Sequence, residues 1–125
     1  MANKTGNYYN MRTPEYSPSN PEVWGPVMWN FLHLTAASYP HHPEQYLKNN
    51  MKSFILSIPS FIQCGPCAED SHRYILSRKK LMDSYVSNKK NLFIFFWEFH
   101  NYVNLKLGKA QIQLETAWNK YYFGS

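Results

Sequence analysis

Cys64 and Cys67 are the only cysteines in this 125-residue sequence, and they form a C-x-x-C pair with a Gly-Pro spacer. Thiols at this spacing can form a reversible disulfide, or they can supply half of the four ligands of a structural zinc site. Two cysteines are too few for the disulfide framework of a small secreted domain. The pair therefore predicts cysteines kept for their reactivity, in a chain that works in a reducing compartment.

A segment before the dithiol places Trp29, His33 and Ala36 four and three positions apart. Residues at these separations share one face of a helix. A lone histidine on such a face is usually a hydrogen-bonded part of the core, and this simpler interpretation stays open.

A segment after the dithiol places four more residues on one helix face: His100, Val103, Asn104 and Leu107. An imidazole and an amide are costly to bury unless each finds a hydrogen-bond partner. Two helices that turn such groups inward beside a dithiol suggest a polar ligand held within a helical bundle. Lys106 and Lys109 lie where they could meet an anionic part of that ligand.

The spacing of apolar residues predicts an all-α chain, since no segment shows the period of two that marks a strand. We expect four longer helices: residues 25–39, 44–58, 64–80 and 89–107. Pro26 suits the first turn of the first helix, and Gly108 suits the C-terminal cap of the fourth. A short fifth helix is predicted over residues 111–122.

The composition sets further bounds. Residues 1–20 are polar and punctuated by proline, which predicts a flexible N-terminal arm before a single domain at 21–125.

Aromatic residues make up 18% of the chain and must pack on one another or on a flat aromatic ligand. The net charge of +5 is consistent with an anionic ligand or partner. The basic runs at 77–80 and 88–91 match no nucleic-acid-reading motif, and no apolar run reaches the ~20 residues of a membrane span.

Two common uses of a C-x-x-C pair fit this sequence poorly. A thioredoxin carries its dithiol after a buried strand, whereas here the preceding segment has a helical period and ends at Pro59. Gln63 also stands where thioredoxins have tryptophan. A zinc site needs four ligands, and the histidine nearest to the pair is His72 alone. We therefore expect no metal.

Three motifs together resemble the Erv/ALR family of flavin-linked sulfhydryl oxidases. The first motif is matched by Gly25, Trp29, Leu32, His33, Ala36, Tyr39 and Pro40. The second is the C-x-x-C pair, followed by Ala68, Glu69 and Asp70. The third is matched by His100, Asn101, Val103, Asn104, Leu107, Gly108 and Lys109. The resemblance covers about residues 24–122.

The resemblance implies a four-helix bundle that holds FAD, with a short fifth C-terminal helix, assembled as a homodimer. It also implies a set of FAD contacts: Gly25, Trp29, His33, Tyr39, His100, Val103, Asn104, Lys106, Lys109, Trp118 and Tyr122. A flavin and an adenine call for aromatic walls, and a pyrophosphate calls for lysines.

The two cysteines are expected to differ in role. At the start of a helix, Cys67 turns inward and gains the stabilisation of the helix dipole, while Cys64 faces outward. The resemblance implies the same division: Cys64 meets the thiol substrate, and Cys67 passes electrons to FAD. Oxygen then accepts them and becomes hydrogen peroxide. The implied partners are a protein dithiol or a thioredoxin-like relay protein, and no nucleic acid.

The sequence departs from many members of the family because it contains no second dithiol and no cysteines that staple a dimer. This minimal form resembles those encoded by large DNA viruses. It implies a cytoplasmic protein, in the host cytoplasm or the virion. The rival interpretation is a redox-inactive helical binding or structural module with a basic surface.

Overall fold

The computed structural model of the chain describes residues 20–62 and 64–122. Of Tyr122 it describes the backbone alone, so the predicted contact of this side chain lies outside the described part. The predicted arm at 1–20 also lies outside it, except for Asn20. None of the helices in the described part combines the length and the apolar character that a membrane crossing requires.

In the described residues, six α-helices follow one another: α1 (Pro21–Ala37), α2 (Gln45–Ser57), α3 (Gly65–Ser77), α4 (Met82–Tyr85), α5 (Lys89–Lys106) and α6 (Leu114–Ala117). Helices α1, α2, α3 and α5 form the bundle. Short 3-10 turns follow α2 and α3, at Ile58–Phe61 and Lys79–Leu81. Every regular element of this part is helical, which confirms the all-α prediction. The four-residue α4 was not predicted, because it is too short to show a periodicity.

Helix α1 begins one turn earlier than the sequence indicated. Asn20 caps it, because its Oδ1 accepts a hydrogen bond of 3.0 Å from the backbone N–H of Glu22, and Pro21 takes the first helical position. Pro26 therefore lies inside the helix, and the prediction that it occupies the first turn is wrong. The first four N–H groups of a helix have no partner within the helix. Pro26 lies just after these positions, so its missing N–H removes one hydrogen bond from the helix.

The end of α5 agrees with the prediction. Gly108 has a φ of 73°, the left-handed conformation that glycine adopts most easily. Its N–H donates to the carbonyl of Leu105 at 3.2 Å, and the N–H of Lys109 donates to that of Asn104 at 2.8 Å. This cap stops the helix at Lys106 and turns the chain back toward α1.

The predicted fifth helix corresponds to α6, which is shorter than predicted and starts at Leu114 rather than at residue 111. The preceding segment is fixed by side chains of α5. Asn101 pairs with the backbone of Ile112 through two hydrogen bonds of 2.7 and 2.8 Å, and Trp97 Nε1 donates to the same carbonyl at 2.7 Å. These bonds hold Ile112 outside a helix. The helix then continues as one π-helical turn, Trp118–Tyr122.

The core is centred on α5. Five of its side chains are completely buried: Leu92, Phe93, Phe95, Phe96 and Phe99. Helix α1 packs along α5, with Leu32 and Ala36 in the shared core. Tyr74 of α3 stacks on Phe99 with ring centroids 5.6 Å apart. Burial of each large apolar side chain contributes about 1.5–3 kcal/mol, so α5 positions both α1 and the helix that carries the dithiol.

Candidate active site

The dithiol lies at the N-terminus of α3. Cys64 is the capping residue and Cys67 the third helical position. Their sulfur atoms form a disulfide, with the two Cα atoms 5.2 Å apart. The backbone N–H of Cys67 donates to Cys64 Sγ at 3.4 Å. From the sequence we expected the start of the helix to stabilise Cys67, whereas this hydrogen bond stabilises the sulfur of Cys64.

A small cavity of about 30 Å³ lies beside Cys67. Trp24 of α1, together with Val103 and Leu107 at the end of α5, forms part of its wall, and Lys106 lines it as well. A space of this size accommodates about one water-sized group. Cys67 therefore lines a small space between α1, α3 and α5.

A larger cavity of about 330 Å³ adjoins the small one, since both are lined by Trp24, Val103 and Leu107. It lies between the first half of α1, the last turns of α5 and the C-terminal segment. Six of the predicted cofactor contacts line it: Gly25, Trp29, His100, Val103, Asn104 and Lys109. The helix faces identified from residue spacing thus meet at one cavity, which we call the cofactor cavity.

The two motif histidines form a pair. His33 Nε2 and His100 Nδ1 are 3.0 Å apart, so one of them donates a hydrogen bond to the other. Trp29 stacks on His100, with ring centroids 4.1 Å apart and planes 9° apart. Tyr121 stacks on His33 at 4.8 Å. The four rings form a continuous aromatic surface beside the cofactor cavity.

Both histidines are neutral at physiological pH. Burial lowers the pKa of His33 to about 4, with a further contribution from the charge of Lys120. Burial also lowers the pKa of His100 to about 3, and the neighbouring His33, Lys109 and Lys120 add to this effect. A neutral pair can share one proton across its hydrogen bond, whereas two imidazolium rings at 3.0 Å would repel each other.

The other predicted contacts lie away from the wall of the cofactor cavity. Tyr39 is buried at the far end of the first motif, and its hydroxyl donates to the carbonyl of Val86 at 2.7 Å. Trp118 packs with its edge on Phe93, at a centroid distance of 5.5 Å. Lys106 faces the small cavity instead.

Four residues with polar or aromatic side chains line the cofactor cavity without having been predicted: Trp24, Asn30, Lys120 and Tyr121. The hydroxyl of Tyr121 donates to Asn30 Oδ1 and so closes one side of the cavity. Asn30 and Tyr121 are about 90 positions apart in the chain, so no local spacing links them. Lys120 is a second cavity lysine beside Lys109, and its position at the end of the chain gave no signal.

The cavity fits a ligand with flat rings and an anionic part. Two buried side-chain atoms on α1, Trp24 Nε1 and His33 Nδ1, have no hydrogen-bond partner among the described residues. Buried polar atoms are rarely left unpaired, which points to a polar ligand. Lys109 and Lys120 supply positive charge. FAD has the aromatic rings, the acceptor atoms and the pyrophosphate that these groups call for. Within the described residues, no cluster of three or more potential ligands could hold a metal ion.

Comparison with known proteins agrees with this geometry. Residues 26–123 match the family model described as Erv1 / Alr family. The chain belongs to the Erv1 / Alr family. A relative in Invertebrate iridescent virus 3, provisionally named FAD-linked sulfhydryl oxidase, is 37% identical over 102 residues, covering 82% of this chain and 68% of that protein. The mitochondrial FAD-linked sulfhydryl oxidase ERV1 of Saccharomyces cerevisiae is 33% identical, over 82% of this chain and 52% of its own length.

Solved structures of the Erv1 / Alr family have the same fold. The crystal structure of the yeast Erv1 core superposes with a TM-score of 0.76 at 29% identity, and the match covers 91% of this chain and 93% of that one. The FAD binding domain of Erv1 from Saccharomyces cerevisiae gives a TM-score of 0.74 at 31% identity, over 83% and 95% of the two chains. The four-helix bundle predicted from the resemblance is therefore confirmed.

The histidine pair predicts how stability depends on pH. Each imidazole has an ordinary pKa of 6.5 in the unfolded chain but about 4 and about 3 in the fold. Between these values the unfolded chain binds more protons, so the free energy of unfolding falls as the pH falls from 6.5 toward 4. The slope of the unfolding free energy against pH measures the number of protons taken up on unfolding. We expect His100→Asn to lower that number by about one near pH 5, measured by urea unfolding across a pH series.

A matched control is His72→Asn on the exposed face of α3, because it removes a histidine that lies outside the pair, and the difference between the two variants isolates the effect of the pair. If His100→Asn has the same pH dependence as the unmodified protein, the pair is not held neutral by burial.

Proposed function

We propose that this chain is an FAD-dependent thiol oxidase that forms disulfides in protein substrates. Two substrate thiols and one O2 give a disulfide and H2O2. The observation that carries the proposal is the shared wall of the two cavities. Cys67 lines the small cavity, and Trp24, Val103 and Leu107 line both the small cavity and the cofactor cavity. A redox-active sulfur therefore adjoins a site suited to a flavin.

The first part of the reaction is a thiol–disulfide exchange at Cys64. A substrate thiolate attacks Cys64 Sγ, the Cys64–Cys67 bond breaks, and Cys67 leaves as a thiolate. The second substrate thiol then attacks the substrate sulfur of the mixed disulfide, and Cys64 leaves as a thiolate in turn. The hydrogen bond from the Cys67 N–H to Cys64 Sγ stabilises that leaving group. The substrate is now oxidised, and the dithiol holds its two electrons.

When bound, FAD supplies the two-electron chemistry that connects the dithiol to oxygen. The chain supplies binding and orientation. Trp29 and His100 offer a stacked aromatic wall, and Lys109 and Lys120 offer positive charge for a pyrophosphate. The neutral state of His100 lets its imidazole serve as a hydrogen-bonding group rather than as a second buried cation. The segment that carries Lys120 is anchored by the bonds of Ile112 to α5.

The electrons that reach Cys64 come from another protein. The sequence contains two cysteines, and both are in the active dithiol. We infer that a protein dithiol, either the final substrate or a thioredoxin-like relay protein, docks directly at Cys64. The similarity to proteins of iridescent viruses supports a viral source and action in the host cytoplasm or the virion.

A homodimer is part of the proposal. Helix α1 presents an apolar stripe of Val27, Phe31 and Leu34, which are 70%, 58% and 54% exposed. The stripe adjoins an apolar groove of about 280 Å³ between α1 and α2, lined by Phe31, Phe54 and Phe61 among others. An exposed apolar surface of this kind is typical of a protein–protein contact, and a second copy would bury it face to face.

The rival function is a redox-inactive binding or structural module with a basic surface. It gives no reason for an intact disulfide beside an enclosed cavity, or for two unpaired buried nitrogen atoms on one helix. Colour separates the two functions, since the oxidase is yellow when purified.

The division of roles between the cysteines is testable by absorption spectroscopy. In Cys64→Ser the thiolate of Cys67 should remain beside oxidised FAD and give a long-wavelength charge-transfer band. Cys67→Ser should lack the band, and both variants should lose most of the dithiol oxidase activity. Equal flavin content in the two variants is the control that separates chemistry from cofactor loss. A band in Cys67→Ser and none in Cys64→Ser would reverse the roles.

The dimer is testable by sedimentation velocity. We expect the unmodified protein to sediment as a dimer and Phe31→Glu as a monomer, because a buried charge at the centre of the interface is unpaired. Leu105→Glu is the matched control: Leu105 is a 64% exposed apolar residue on α5, away from the stripe, and its replacement should leave the dimer intact. A Phe31→Glu variant that still dimerises would show that the dimer interface does not include the apolar stripe of α1.

A further inference from the structure

Trp24 occupies a position that none of the three sequence motifs includes. It lies in the first turns of α1, and its side chain lines the cofactor cavity, the small cavity beside Cys67 and the apolar groove. With Val103 and Leu107, Trp24 therefore forms the boundary between the cofactor cavity and the cavity beside Cys67.

The indole nitrogen of Trp24 is buried and donates to no atom of the described residues. A buried donor without an acceptor destabilises the fold, and native proteins rarely keep one unless a ligand or water completes it. The apolar groove has no side-chain acceptor, since it is lined entirely by apolar and aromatic residues. The two cavities, in contrast, are lined in part by polar residues, so a polar ligand that supplies the acceptor fits on their side.

We propose that the indole N–H of Trp24 donates a hydrogen bond to an acceptor atom on the redox-active ring of FAD, at the boundary between the cofactor cavity and Cys67. The proposal rests on the proposed function and adds to it a specific cofactor-contacting residue. Trp97 shows that this chain pairs its indole donors when an acceptor is at hand, because Trp97 Nε1 donates to the Ile112 carbonyl at 2.7 Å.

Such a bond has a consequence for electron transfer. The nitrogen and oxygen acceptors of a flavin ring gain electron density when the ring takes up two electrons. A fixed donor therefore stabilises the reduced ring more than the oxidised ring. Trp24 should thus favour the movement of electrons from the Cys67 side to FAD, and its removal should disfavour it.

The test compares Trp24→Phe with the FAD-loaded unmodified protein. The variant keeps an aromatic ring but loses the N–H. We expect the equilibrium constant for reduction of bound flavin to fall about tenfold, which is about 30 mV for two electrons, in an anaerobic redox titration. The dissociation constant for FAD should rise several-fold. Tyr85→Phe is the matched control: it also keeps an aromatic ring and loses a hydrogen-bond donor, the hydroxyl that donates to Glu98 Oε1 at 2.9 Å. Tyr85 lines neither of the two cavities, so the flavin potential of this variant should not change.

A second measurement follows the indole N–H of Trp24 in the unmodified protein and needs a variant only to assign the signal. In protein labelled with 15N-tryptophan, the indole N–H signal of Trp24 should move when FAD binds and move again when the flavin is reduced. Its assignment comes from its absence in Trp24→Phe or, if that variant does not fold, in Trp24→Leu.

Three results would overturn the inference while leaving the oxidase intact. They are an unchanged potential in a folded, flavin-loaded Trp24→Phe, an indole signal that ignores flavin reduction, and a signal that moves on dimerisation alone. Failure of the proposed function itself gives a different result, since the unmodified protein would then bind no flavin at all.

Discussion

The hydrogen bond between His33 and His100 joins α1 to α5, and the cofactor cavity lies along that joint. Two imidazoles in contact inside a bundle repel each other when both are protonated, and burial keeps this pair neutral by lowering both pKa values. The bond occupies one nitrogen of each ring. His33 Nδ1 is left buried without a hydrogen-bond partner among the described residues, so the contact that joins the two helices leaves one polar atom beside the cavity wall unpaired.

The dithiol depends on the same central helix. Tyr74 of α3 stacks on Phe99 of α5, one residue before His100. This contact fixes α3, and therefore the disulfide at its N-terminus, relative to the histidine pair. Cys67 consequently faces the small cavity, and Cys64 sits at the helix cap where another protein can approach it. Helix α5, rather than a loop, therefore fixes the position of the disulfide relative to the cofactor cavity.

The sequence was most informative where the relevant residues are close in the chain. The spacing of Trp29 and His33, and that of His100 and Asn104, predicted which faces meet, because helical geometry converts local spacing into direction. Contacts between distant segments gave no such signal. Trp24, Lys120 and the Tyr121–Asn30 bond enter the cavity through the tertiary fold. The start of the last helix was mispredicted for the same reason, since Asn101 and Trp97 hold Ile112 from another element.

The most direct test is an anaerobic titration of the purified protein with dithiothreitol, followed by its flavin absorption. We expect a yellow protein with about one flavin per chain, whose colour is bleached by the dithiol and restored by oxygen with release of H2O2. The variant in which Cys64 and Cys67 are both serine should bind flavin without being bleached. A folded protein without flavin, or a bound flavin that bleaches equally well in the double variant, would show that Cys64 and Cys67 do not pass electrons to a bound flavin.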